Sequence, residues 1–527
     1  MTAIHKSTPA GRWRPRREHL PLAFFVGLLV VAVPVLFHAG RHQWFFLDEF
    51  DFLAGRDLRS FDDLFRPHNE HWSTPPIVVY RLLFRIVGLN SYAPYLALSI
   101  GAHLALVCLL RRVMRRSGVD PWIATAAVIP FTFFGTGNEN ILWGFQFAWS
   151  TSVACGILHV IAIDHDGPVG RRDLLGLLFG LIGLMSSGVG LVMVGAAMLT
   201  ALARRGWREA LLHTVPLATL YVIWLTALDV QTASHAGQGD IPALAVNILV
   251  DSVAGLGGSV VAGAALLLFS AVGVALALDS ARRTGAGWRR LAAPGALACA
   301  AVAFAGLSAY GRAFLSPEPA IRYLHVTAAM LIPLVGVGAN AVVKRWPKLT
   351  VVAAALLLVG LPANVSRLDD RNPLVLGNRE QMLSLATVAH DDAVDRSVRP
   401  LVLWSDAVTA GWLSDGIESG RIPRIELTTA QHRHASASLA LQVLPDGASL
   451  TCTSVAARSP LDLDEGEVVR FEAASLAAVE VLGQERSPSV NFTGALGVGT
   501  TTVRAVRPVV LEEPPGSAWP AMSICRA

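Results

Sequence analysis

Apolar runs of about 20 residues, the length that crosses a bilayer as a helix, recur along the first 363 residues of the chain and then stop. The pattern predicts membrane spans at 20–38, 92–110, 121–136, 141–163, 173–185, 189–203, 211–228, 259–279, 291–309, 324–343 and 349–363. The fifth and sixth are short because Ser186, Ser187 and Gly188 interrupt them. Fused into one long span, they would reverse the sidedness of everything downstream. From 364 the character changes to short apolar runs, such as Ser449 to Val455 and Glu467 to Phe471, bounded by Gly, Pro and Asp, with a turn signal at Pro445, Asp446 and Gly447. A helical stretch over about 376–420 followed by a β-sandwich is predicted there.

Charge decides between hairpin and long span, because Lys and Arg of short loops stay on the cytoplasmic side. With the hairpin kept, Arg12–Arg17, Arg111–Arg116, Arg171 and Arg172, Arg204–Arg208, Arg282–Arg290 and Lys344–Lys348 all fall on one side. The opposite loops, 137–140 and 229–258, hold no Lys or Arg. The predicted fold is therefore a polytopic α-helical membrane protein of about 11 spans, with a C-terminal exported α+β domain ending in a β-sandwich. Its parts are a basic cytoplasmic N-terminus at 1–19, a membrane domain at 20–363 with a long exported loop at 39–91, and an extracytoplasmic domain at 364–527. The first apolar run is longer than a signal-peptide core and lacks a small-residue cleavage site, so it reads as an uncleaved span.

Composition agrees. The 527 residues are 53% hydrophobic and 16% charged, with a mean hydropathy of +0.50, against about 25% charged in a soluble domain. That excludes a cytosolic enzyme, a nucleic-acid binder and a disordered scaffold. Arg far outnumbers Lys and the chain is rich in Ala, which reads as genome composition and not as phosphate recognition. Cys108, Cys155 and Cys299 fall inside spans and read as inert core residues. Cys452 and Cys525 lie in the exported tail, where a disulfide between them can persist and would tether the C-terminus.

The residues with chemistry cluster at one interface. Directly after the first span come Trp44, Phe45, Phe46, Leu47, Asp48, Glu49, Phe50 and Asp51. Carboxylates among aromatic rings at the membrane edge are partly desolvated, which suits a proton acceptor. Glu49 could instead be the structural partner of an arginine such as Arg81. The loop continues through His68, Glu70 and His71, which read either as hydrogen-bonded scaffolding or as ligands for acceptor or for a divalent cation. A Pro-Pro-led amphipathic helix follows from Thr74, lying in the interface, with Arg81 and Arg85 on one face. Glu139 between Asn138 and Asn140 is either a turn residue or a second pocket acid. Gln146, His103 and His159 sit within apolar spans, where polar groups face a partner or a cavity. Arg312, Arg322 and Tyr323 flank a late exported loop, on the side that otherwise avoids positive charge, and suggest a bound anion.

An acidic pair after the first span, a long first exported loop, a Pro-Pro-led interface helix and short hydrophobic hairpins resemble the GT-C class of polytopic glycosyltransferases. That class includes the protein O-mannosyltransferases, the lipid A aminoarabinose transferases and the actinobacterial cell-wall arabinosyltransferases. The resemblance covers about the first 360 residues; the tail is similar to an exported carbohydrate-binding domain in position. It implies an inverting transfer of sugar from a polyprenyl-phosphate donor to a cell-envelope hydroxyl. Asp48 or Glu49 would be the base, Arg312, Arg322 and Tyr323 would bind the donor phosphate, and Asp51, His68, Glu70, His71, Glu139 and Gln146 would line the pocket. Two other readings stay open: a flippase for a lipid-linked glycan, and a non-catalytic glycan-binding assembly protein of the same fold. The absence of an internal repeat and the clustering of acids at one interface argue against a transporter.

Overall fold

The computed structural model describes residues 19–230, 236–284, 287–368, 373–392, 394–400, 407–444, 450–455, 460–473, 477–482, 492–496, 499–506, 508–512 and 521–526. The basic cluster at Arg12–Arg17 and the turn signal at Pro445–Gly447 lie outside them. The chain begins with a span, α1 (Leu20–Ala39), and three short helices of the first loop, α2 (Glu49–Ala54), α3 (Phe61–Phe65) and α4 (Thr74–Ile86). The bundle continues with α5 (Ala93–Arg116), α6 (Pro121–Thr132), α7 (Glu139–Leu142), α8 (Phe147–Ile163), α9 (Arg171–Leu184), α10 (Val189–Arg204) and α11 (Trp207–Ala227). It closes with α12 (Ile241–Gly257), α13 (Val260–Thr284), α14 (Trp288–Arg312), α15 (Ile321–Arg345), α16 (Thr350–Leu358) and α17 (Leu361–Ser366). Among the described residues, 8 helices are long and apolar enough to cross a membrane, and α6, α10 and α12 are shorter apolar helices. The chain is a multi-pass membrane protein.

Each of the eleven predicted ranges overlaps helix, and α9 and α10 are separate arms, but the ranges 121–136, 141–163 and 349–363 are each broken into two or more pieces. The correction concerns 229–258, expected as a loop, where α12 forms. Asp240 caps it by accepting from Ala243 N–H at 3.0 Å, and Gly258, at φ 76°, ends it in the left-handed region. Leu244, Ile248, Ser252 and Leu256 are its buried stripe at a spacing of four. Near its start Asn247 Nδ2 donates to Pro317 O in the α14–α15 loop, and near its end Asn364 Nδ2 donates to Gly255 O. Both ends thus meet connections at the same end of the bundle. Asn247, Asp251 and Ser252 interrupt its apolar run, so a window tuned to spans passes over it.

The opposite end collects the basic clusters. Arg116 and Arg204 pair with Asp164 at 3.3 and 2.9 Å, Arg289 pairs with Asp166 at 3.0 Å, and Lys344 donates to Gly118 O at 3.2 Å. The two histidines singled out inside spans each find a partner. His103 is hydrogen-bonded to His325 at 3.0 Å, and His159 to His213 at 3.1 Å. Cys155 is buried, but Cys299 is exposed on α14 and is not a core residue.

Among the described residues of the tail, α18 (Pro373–Asp391), α19 (Ala410–Glu418) and α20 (Thr429–Ser438) precede the strands β1 (Leu441–Val443), β2 (Thr451–Val455), β3 (Leu461–Leu463), β4 (Val468–Ala473), β5 (Ala477–Leu482), β6 (Phe492–Leu496), β7 (Gly499–Ala505), β8 (Val509–Glu512) and β9 (Ala521–Arg526). They form two antiparallel sheets, ordered β1-β7-β4-β9-β2 and β3-β8-β5-β6. Leu461, Leu463 and Leu511 of one sheet and Val469, Phe471 and Val503 of the other share a core. Cys452 and Cys525 oppose each other in the β2–β9 register and are joined by a disulfide. The helical part packs on the first loop: Asn378 Nδ2 donates to Phe45 O at 2.7 Å, Leu89 N–H donates to Arg421 O at 2.6 Å, and Trp412 stacks on Phe84.

Candidate active site

The chain leaves α1 and turns sharply through Leu47, whose φ of 46° lies in the left-handed region. The three acids that follow have three different fates. Glu49 is fully buried and faces inward, where four donors converge on its carboxylate. Tyr80 and Tyr92 hydroxyls donate to Oε1 at 2.8 and 3.1 Å, and Phe46 N–H and Trp143 Nε1–H donate to Oε2 at 2.8 and 3.0 Å. Burial pushes its pKa up to about 7, against the opposing pull of those donors. Its partners are therefore tyrosines and an indole, not Arg81, which donates to Leu53 O instead.

Asp51 is held by Arg56, whose Nε and Nη2 donate to Oδ2 at 3.1 and 2.9 Å, and by His68 Nδ1 at 2.8 Å. Burial alone would raise its pKa, but His68 and Arg56 outweigh burial and hold it down at about 2. Arg56 also donates to the carbonyls of Asp63, Arg66 and Pro67, so one guanidinium fastens the whole loop. Asp48 alone stays open. Its side chain is 44% exposed and its nearest cation is His68 Nε2 at 3.8 Å. His68 thus stands between two aspartates, which raise its pKa despite burial.

His68 and His71 form a two-residue hairpin, exchanging both backbone hydrogen bonds at 2.9 Å. Its tip, Asn69 at φ 45° and Glu70 at φ 70°, is left-handed at both positions, as such turns require, although glycine suits the second far better. Non-glycine residues in this region cost about 1–3 kcal/mol each and gather at functional sites. Leu47, Asn69 and Glu70 all line one cavity of about 740 Å³.

That cavity also gathers Asp48, His68, His71, Glu139, Gln146, Arg312, Arg322 and Tyr323, from the first loop, α7, the turn before α8, and the facing ends of α14 and α15. Arg312 Nη2 meets Glu70 Oε2 at 3.4 Å. Arg322 Nη1 meets Glu139 Oε1 at 3.0 Å, and Gln146 Nε2 donates to the same oxygen at 3.1 Å. Arg322 also lies over the Tyr323 ring, 5.3 Å from its centroid. His71 is buried between these groups; burial first, then Arg312, His68 and Arg322, hold its pKa down at about 4, so it is a neutral imidazole at pH 7. It packs edge-on against Trp149, at a turn where a side chain on Gly188 would collide with its ring.

Two expected members stand outside the lining. Neither Glu49 nor Asp51 borders the cavity: the first is consumed by its four donors and the second by Arg56 and His68. Nor do His68, Glu70 and His71 converge as a metal-ligand set, since His68 is committed to Asp51 and Glu70 to Arg312. Among the described residues no group of three His, Cys, Asp or Glu is arranged to hold a metal ion. Sequence reasoning missed Arg56, Trp149, Phe304 and Tyr221. An arginine five residues after an aspartate is an ordinary loop feature. Aromatic residues within spans look the same whether they face lipid or a cavity.

No protein-family model matches the sequence, and no curated protein matches it. Among solved structures, the apo state of ArnT from Cupriavidus metallidurans, a GT-C glycosyltransferase, is similar to this chain at 12% identity, over 83% of this chain and 97% of that one, with a TM-score of 0.47. The functional reading rests on the cavity.

Proposed function

We propose that the chain is a membrane glycosyltransferase that moves a sugar from a polyprenyl-phosphate donor to a cell-envelope hydroxyl at the outer face of the cytoplasmic membrane, with inversion. The observation that carries this reading is one cavity bordered by an open carboxylate, Asp48, and two guanidinium groups, Arg312 and Arg322. Leu191, Leu307 and Ile321 border the same cavity and are 40%, 53% and 39% exposed on the bundle surface, an apolar lip suited to an isoprenoid chain.

In the proposed step the acceptor oxygen attacks the anomeric carbon, and Asp48 takes its proton as the new bond forms. The bond from that carbon to the phosphate oxygen breaks, and the lipid phosphate leaves with the electron pair. Its added charge is met by Arg312 and Arg322 through charge-assisted hydrogen bonds. His68, held by Asp51, which Arg56 fixes in turn, keeps the Asp48 side chain facing the cavity, and neutral His71 lies near the arginines without adding charge. The basic clusters at the far end of the bundle and the disulfide in the tail support the outward orientation.

The test is transfer from a radiolabelled polyprenyl-phosphate sugar in membranes. Asp48→Asn is expected to lower the rate by about 10²–10⁴-fold while leaving the protein folded. Unchanged transfer by that variant would remove the base, and transbilayer movement of the labelled lipid with no transfer would favour a flippase.

A further inference from the structure

Among the described residues, the buried side-chain polar atoms that lack a hydrogen-bond partner include Gln146 Oε1, and of the residues carrying them Gln146 is the one that lines the cavity. Gln146 is 97% buried (3% exposed), at the end of a one-turn helix running Gly144–Gln146. Its orientation is fixed by chemistry. Nε2 donates to Glu139 Oε1, and turning the amide over would set its oxygen against that carboxylate. The same Glu139 oxygen is held by Arg322 Nη1. A residue of the cavity wall therefore carries an unmet acceptor, two bonds of a network away from one proposed phosphate-binding group. A buried amide oxygen without a donor costs roughly 1–3 kcal/mol, a penalty that a ligand O–H removes. A carboxylate or phosphate cannot, having no hydrogen to give. Trp143 borders the same stretch of wall, and its N–H is turned away to Glu49, so what it offers the cavity is carbon. An apolar ring beside a lone acceptor matches a sugar, with C–H faces and hydroxyl donors.

We propose that Gln146, positioned by Glu139 and Arg322, is a specificity-determining residue that accepts a hydrogen bond from a hydroxyl of the donor sugar. This rests on the reading of the cavity as a glycosyl-phosphate site. Gln146 reads the sugar while the arginines read the phosphate, so the two can be separated. A site built to bind a hydroxyl discriminates strongly against ligands that lack it.

The experiment measures binding of bare decaprenyl phosphate and of decaprenyl-phosphate mannose, glucose and arabinose to the full-length chain in nanodiscs. Wild type is expected to prefer at least one glycosylated lipid over the bare one by about tenfold or more. Gln146→Met should lose that preference, its affinity for the glycosylated lipids falling to its own affinity for the bare one. Retained preference in Q146M, or no preference for any glycosylated lipid in wild type, overturns the proposal. Absence of any bare-lipid binding by wild type overturns instead the underlying reading of the cavity. Should Q146M lose bare-lipid binding through misfolding, Gln146→Asn, which withdraws the amide by one methylene, is read by the same criteria.

Discussion

The Trp143 indole donates to Glu49 Oε2 across 3.0 Å, tying the strand of chain that carries Asp48 to a turn more than ninety residues further on. Because Tyr80, Tyr92 and Phe46 N–H use the remaining lone pairs, Glu49 organises the wall without touching the cavity. In Glu49→Gln an NH₂ would face donors that it cannot accept from. The expected result is a loss of about 1–3 kcal/mol for each donor left without an acceptor, read as a lower Tm in detergent. A Tm equal to wild type would mean that the four contacts do not hold the loop.

The same residue sets a pH dependence. Its folded pKa of about 7 lies above the ordinary 4.5, so between those values the folded state binds more protons than the unfolded chain and stability falls as pH rises. Asp51 acts in a separate window: depressed to about 2 from 3.8, it adds stability that is lost as pH falls through that range. His68, raised above 6.5, adds stability that is lost only at higher pH. From pH 5 to 6.5, therefore, the Tm of wild type should decline relative to that of E49Q. Parallel curves across that interval would count against a buried Glu49 that titrates near neutrality.

Glu70 combines an unfavourable backbone with a useful side chain. Glu70→Gly removes the strain at φ 70° and should leave stability unchanged or raise it by roughly 1 kcal/mol. Arg312 would lose its carboxylate partner at 3.4 Å, and the apparent KM for donor should change. A marked fall in Tm would show instead that the ion pair holds the hairpin.

Arg56 is only 4% exposed and makes five hydrogen bonds to Asp51 and three carbonyls. A lysine keeps the charge but not the planar fork. Arg56→Lys should therefore destabilise the first loop almost as much as Arg56→Ala, by about 3–5 kcal/mol where a buried pair is broken. Limited proteolysis at 55–70 would report it, and full protection in R56K would contradict the role given to the guanidinium geometry.

The bundle was legible because lipid-facing helices must be apolar along their whole length, and because charge sorts the connections. α12 was not, since Asn247, Asp251 and Ser252 interrupt its apolar run. At the site, Asp48, Arg312 and Arg322 stood out as charges in places where charge is costly. The division of labour among Asp48, Glu49 and Asp51 could not be read, because neighbouring positions in a tight turn point in different directions and only the turn through Leu47 decides which one faces the cavity. The hairpin at Asn69 and Glu70 was equally hidden, since its second position lacks the glycine that marks such turns.

Each arginine of the cavity already rests against a carboxylate, Arg312 on Glu70 and Arg322 on Glu139. With Asp48 also on the wall, the chamber has no surplus of cations to draw small mineral anions out of the surrounding fluid. On the proposed reading, admission would fall to whatever brings its own grip on the hydrocarbon, and the resting pairs would act as a filter that free phosphate, however abundant, has little means to pass.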